Sequence, residues 1–167
     1  MAAVFRGSLA SFKKGIAQWV FRLQIQKVRI VSNNICYGPE PLPEDEVEQH
    51  LTISACGRVW FTGYKYANGF GKLEICRRYQ FAIGRPVVKE ILTLFSQYIN
   101  SDQLVCYATD IGNWEMVITD IEGKEYTFKG SLCGGVVVRD MDLTQFLRKC
   151  LPIEQLLVFD GCIEEEA

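Results

Sequence analysis

The sequence predicts an α+β fold: an antiparallel β-sheet, built as a meander plus a hairpin, with two main helices on one face. Three observations predict it. From Ala108 to Cys133 the chain alternates with the two-residue period of strands around a glycine-containing turn. From Leu51 to Ile83 the order strand, turn, strand repeats. Between these regions, residues after Pro86 carry a broad apolar face at helical spacing.

The elements follow in order. Leu9, Phe12, Ile16 and Trp19 fall at near-helical spacing, with Ser8 as N-cap, and predict a short amphipathic N-terminal helix over Leu9–Gln18. Phe21, Leu23 and Ile25 alternate with polar residues, and Val28 and Ile30 continue after a phase slip at Lys27. This predicts a first strand with a bulge. Residues 38–48 hold three of the five prolines and five acids, and predict a solvated acidic loop. Calcium loops alternate their ligands around a glycine, and that alternation is missing here.

LTIS, the turn Ala55–Arg58, VWFTGYKY, the turn Asn68–Gly71 and the strand over Leu73–Ile83 complete the meander. Val87, Val88, Ile91, Leu92, Leu94, Phe95, Tyr98 and Ile99 form the apolar face of the first main helix. The hairpin puts Trp114, Met116 and Ile118 on one face and turns at Ile121–Lys124. Val136–Val138 predicts a loop or short strand. Asp142 predicts the N-cap of a second helix that Pro152 stops, and Leu156–Phe159 predicts a last edge strand. The expected organisation is a basic segment over 1–20, one domain over 21–162 and an acidic tail over 163–167.

With 167 residues the chain is long enough to bury a core as one domain. At 49% hydrophobic and 23% charged it has the composition of a globular protein. Its net charge of −2 hides a polarity. Residues 1–39 carry six basic residues and no acid, while the remaining 12 basic residues face all 20 acids. The expectation is that the basic head packs near the acidic body. Six charges spread over 39 residues are not a dense polybasic run. Lys13 and Lys14 interrupt the apolar stretch a signal peptide needs, although the acid-free start also fits a transit peptide. No segment has the roughly 18 apolar residues of a membrane span.

Seven cysteines occur with no C-x-x-C pair, and His50 is the sole histidine, so no metal-ligand spacing exists. Reduced thiols and a cytoplasmic location are expected. No dinucleotide or P-loop pattern appears, and no cofactor is expected. His50 follows the acidic loop and precedes a strand, which suits a strand-edge residue better than a base, because no nucleophile elbow accompanies it.

With every catalytic template absent, the expected function is that of a non-catalytic binding or interaction module whose partner is unknown, a protein or a second copy of the chain. Trp60, Tyr64 and Tyr66 on the sheet, or the acidic loop 40–48, form the candidate contact surface. Asp110 and Trp114, at the start of the hairpin, complete the candidate binding set. The acidic body argues against nucleic acid. Two alternatives stand beside this reading. One is a small hydrolase or transferase using Asp110, Glu115, Asp160 or a cysteine. The other is a peripheral membrane or nucleic-acid binder acting through the basic N-terminal segment.

The motifs ISACGRVWFTGY at 53–64, TDIGNWEMVITDIEGKEYTFKGSLC at 109–133 and LLVFDG at 156–161 carry a resemblance. Across residues 28–161 the chain resembles a group of small, uncharacterised bacterial proteins of Firmicutes type. These share S-x-x-G-R-V-W-F, a T-D-I-G-x-W hairpin ending in G-S-L-C, and V-F-D-G. Cys56 departs from the aspartate of that pattern. The resemblance implies no activity and assigns no functional residue.

Overall fold

A computed structural model of the chain describes residues 24–69, 71–101 and 107–163. The N-terminal helix expected over Leu9–Gln18, the packing of the basic head and the tail beyond Ile163 lie outside the described residues.

Six strands form one antiparallel sheet: β1 (Ile25–Asn33), β2 (Glu46–Ser54), β3 (Arg58–Lys65), β4 (Glu74–Ala82), β5 (Asn113–Asp120) and β6 (Glu125–Ser131). Their order across the sheet is β4-β3-β2-β1-β5-β6, so the meander and the hairpin meet at β1. The register between β1 and β5 shifts at Ile25–Lys27, where the sequence slips phase. Helix α1 (Arg85–Ile99) has Pro86 in its first turn and buries Val88, Ile91, Leu94, Phe95 and Tyr98. A second, two-stranded sheet joins β7 (Val137–Val138) to β8 (Met141–Asp142). Helix α2 (Leu143–Cys150) follows, and the Asp142 carboxylate accepts a hydrogen bond from the Gln145 N–H, as the N-cap reading expects.

Both helices pack on one face of the sheet, as expected for the α+β class. Val28, Ile30, Leu51, Ile53, Val59, Phe61, Met116 and Ile118 meet Ile91, Phe95, Leu143 and Leu147 in one core. Trp114 closes it at one end. Its indole lies edge-to-face on Phe159, with centroids 4.9 Å apart, and its N–H donates to the Ser131 carbonyl at 3.1 Å.

Three expectations are corrected. The acidic loop does not run through residue 48, because β2 begins at Glu46 and places Glu46 and Glu48 half-buried in the sheet. Each has a partner that local composition does not reveal. Arg77 binds Glu46 through two guanidinium nitrogens at 2.6 and 2.7 Å, while His50 and Asn33 bond to Glu48. His50 is accordingly not an edge residue. It stands inside β2, opposite Thr62 on one side and Val31 on the other.

Nor is Leu156–Phe159 an edge strand. Gln155 and Val158 adopt φ of 50° and 55°, which breaks an extended run, and only an isolated bridge between Cys133 and Asp160 forms. All four residues are buried against the core instead.

Gly130 fixes the seat of Trp114. A Cβ there would stand 2.6 Å from the indole ring, which is buried and also packed by Phe159. Gly130→Ala is expected to destabilise the fold by about 1–3 kcal/mol through overpacking. A lower urea midpoint with an unchanged slope would register that loss.

Candidate functional site, the open face of the sheet

Among the described residues, the helices cover one face only. Strand alternation sends every second residue to the other face, and the registers arrange these residues in rows. One row runs Gln80, Trp60, Thr52, Arg29, Val117 and Thr127. The next runs Arg78, Thr62, His50, Val31, Glu115 and Lys129. Beyond it stand Tyr64, Glu48, Asn33 and Asn113.

A shallow hollow of about 390 Å³ lies on this face, lined by Arg29, Val31, Asn33, Glu48, His50 and Glu115, with Ile35 and Asn113 at its margin. A polar chain organises it. The Glu48 carboxylate contacts His50 Nε2 at 2.7 Å and accepts from the Asn33 amide at 2.8 Å. The His50 ring lies 4.7 Å from that of Tyr64, tilted by 52°. Glu115 is neutralised by Lys129 at 2.6 Å. The hydrogen bond from His50 lowers the Glu48 carboxyl below its ordinary range. Asn33 and the charges of His50 and Arg29 act in the same sense, against the opposing effect of burial.

This arrangement presents an arginine, two amides and an imidazole, which suits hydrogen bonding to a polar partner surface. Among the described residues, no serine, threonine or cysteine lines the hollow beside His50.

The five residues singled out from the sequence separate. Trp60, 37% exposed, and half-buried Tyr64 both stand on the open face. Tyr66 is only 8% exposed and its hydroxyl donates to Glu40 at 2.7 Å, so its ring is no contact surface. Trp114 is 2% exposed and belongs to the core on the opposite face. Asp110 is exposed in the loop before β5 and accepts from the Thr109 hydroxyl. Glu115 shares the hollow with His50, whereas Asp110 and Asp160 do not line it.

Arg29, Asn33 and Asn113 were not singled out, and Glu48 was named only within the acidic loop 40–48. One signal existed for Glu48. Once Leu51 and Ile53 point into the core, the two-residue period sends His50 and Glu48 to the other face together.

A larger cavity of about 1180 Å³ lies on the helix side, between α1 and the Val137–Arg139 turn. Its rim includes Gln24 and Ser101, each next to a stretch outside the described residues, so no site is assigned to it. Cys56 also lines it, and the Ser54 hydroxyl and the Arg58 backbone N–H lower its thiol. Among the described residues, Cys36, Cys56, Cys76, Cys150 and Cys162 are free thiols, no three His, Cys, Asp or Glu side chains are placed to hold a metal ion, and no helix is long and apolar enough to cross a membrane. No protein-family model and no curated protein matches the chain.

The Glu48 contacts set a pH dependence. A carboxyl whose folded pKa is lowered contributes stability that is present above its unfolded value, near 4.5, and is lost as pH falls through the folded value. Wild type is therefore expected to lose more stability between pH 6 and pH 3 than Glu48→Gln. Urea midpoints of both proteins at the two pH values measure the difference.

Proposed function

We propose that this chain is a non-catalytic binding module that recognises another protein through the open face of its sheet. The observation that carries this reading is the placement of Trp60 and Tyr64 on the same face as Arg29 and the His50 hollow, with Tyr64 against His50, on a face that neither α1 nor α2 covers. Trp, Tyr and Arg are the side chains enriched where interfaces hold most of their binding energy. The hollow has both signs of charge, Arg29 against Glu48, which suits a protein surface better than the uniform charge of a nucleic-acid backbone. Free thiols at Cys36, Cys56, Cys76, Cys150 and Cys162 support a reducing, cytoplasmic setting. The resemblance to Firmicutes-type proteins supports a bacterial source and adds no activity.

Native mass spectrometry of gently purified protein tests the reading. Wild type is expected to carry a co-purified protein, and Trp60→Ala to bind it at least about 30-fold more weakly, the effect of a hot-spot residue. Because Trp60 stands outside the core cluster, Trp60→Ala is expected to melt within a few degrees of wild type. A variant that unfolds, or that keeps its partner, contradicts the proposal. Loss of a homodimer in the variant would make the partner a second copy.

A further inference from the structure

The two edges of the sheet differ. Along β6 the neighbouring segment covers part of the edge. The Tyr107 hydroxyl donates to the Lys129 carbonyl at 3.1 Å, and Ser131 Oγ bonds to both the N–H and the carbonyl of Ala108. Along β4 no strand or segment among the described residues pairs with the outer side. This strand is nine residues long, contains no proline and pairs with β3 in unbroken register from Arg77 to Ala82. Seven of its residues are exposed, including Ile75 at 49% and Tyr79 at 42%. Arg77 and Phe81 are half-buried, and Phe81 packs against the core, so the strand is anchored on the helix side while its outer edge stays open among the described residues.

An edge of this kind offers a row of free N–H and C=O groups to an incoming strand. Its charge selects the occupant. Arg78 stands at the middle of β4, exposed, with no carboxylate in ion-pair contact among the described residues. Exposed Arg58 faces Ala82 across the sheet, and exposed Arg85 opens α1 three residues beyond the strand. The acids nearby are engaged. Glu46 is bound by Arg77, and Glu74 accepts from Asn68 and lies 4.0 Å from Lys65. A second copy pairing along the full strand about a two-fold axis would set Arg78 against its own equivalent, and directly opposed like charges are destabilising.

We propose that the β4 edge receives an extended acidic segment of another protein, which adds to the sheet as a seventh strand. Main-chain hydrogen bonds supply affinity, and carboxylates opposite Arg78 and beside Arg58 supply selectivity. The inference rests on the reading of the chain as a protein-binding module, but it uses the main chain of the edge strand, with Arg78 at the outer end of the open face as its charge contact.

Selection of displayed random nonapeptides on the full chain tests it. The expected winners alternate Asp or Glu with β-branched or aromatic residues and lack proline. They bind Arg78→Glu at least ten-fold more weakly, bind Trp60→Ala as well as wild type, and slow amide exchange across Ile75–Ala82. Because Arg78 is exposed, Arg78→Glu is expected to melt like wild type. A winning peptide N-methylated at alternate residues should lose binding, which a purely electrostatic contact would not. No enrichment, basic or proline-rich winners, or equal binding to Arg78→Glu would overturn the proposal. Winners sensitive to Trp60→Ala and not to Arg78→Glu would overturn it too, while leaving the open-face reading intact.

Discussion

The structure depends on how a stretch with no regular secondary structure is held against the sheet. Residues 151–161 bury Leu151, Ile153, Leu156, Leu157, Val158 and Phe159, yet their backbone has no ladder to satisfy it. A few backbone bonds, such as those from the Gly134 N–H to the Phe159 carbonyl at 3.0 Å and from the Gly161 N–H to the Leu132 carbonyl at 3.1 Å, meet part of this need, and side chains meet much of the rest. The buried Gln49 amide donates to the Gln155 carbonyl at 2.7 Å and accepts from the Leu157 N–H at 2.8 Å. Ser32 donates to the Val158 carbonyl at 2.6 Å, and Arg148 donates to the carbonyls of Leu156 and Asp160 at 2.7 and 2.9 Å. Each buried group left without a partner would cost about 1–3 kcal/mol. Val158, a β-branched residue at φ 55°, is tolerated because its neighbours determine its position so fully.

The same region is tied to the far edge of the sheet. Glu46 on β2 reaches Arg77 on β4 across Gly63 on β3, where a Cβ would stand 2.5 Å from the carboxylate. Burial raises the Glu46 carboxyl, and hydrogen bonds from Arg77, Cys76 and Gln49 more than offset this and leave it lowered. Arg77 also donates to the Glu154 carbonyl at 2.8 Å. One network thus joins β2, β4 and the C-terminal stretch. With the helices and this stretch both on one side, no described residue outside the sheet covers the other side or pairs with the outer side of β4, and the functional proposals occupy those two surfaces.

How much of this the sequence revealed depended on range. The hairpin was legible because Trp114, Met116 and Ile118 alternate locally and Gly123, at φ 84°, marks its turn. Helix α1 was legible from its apolar face, and α2 from the Asp142 cap. Glu46 and Glu48 read as solvated acids because three prolines stand just before them and the main partner of Glu46 lies 31 residues away. The stretch around Leu156 reads as a strand because Gln49 and Ser32, which bond to its backbone, stand 106 to 126 residues distant. At the candidate site, Trp60 and Tyr64 were legible as an aromatic pair. Tyr66 and Trp114 look equally aromatic in sequence, and only the register and the packing of Phe159 separate them.

The measurement closest to the central claim is amide exchange in Gln49→Leu, which keeps the side-chain bulk and removes both hydrogen-bonding groups. Exchange at Gln155–Asp160 is expected to quicken at least ten-fold, while amides of Leu51, Ile53 and Phe61 in the sheet keep their protection. Unchanged exchange in that stretch, or an equal loss across the whole sheet, would contradict the account.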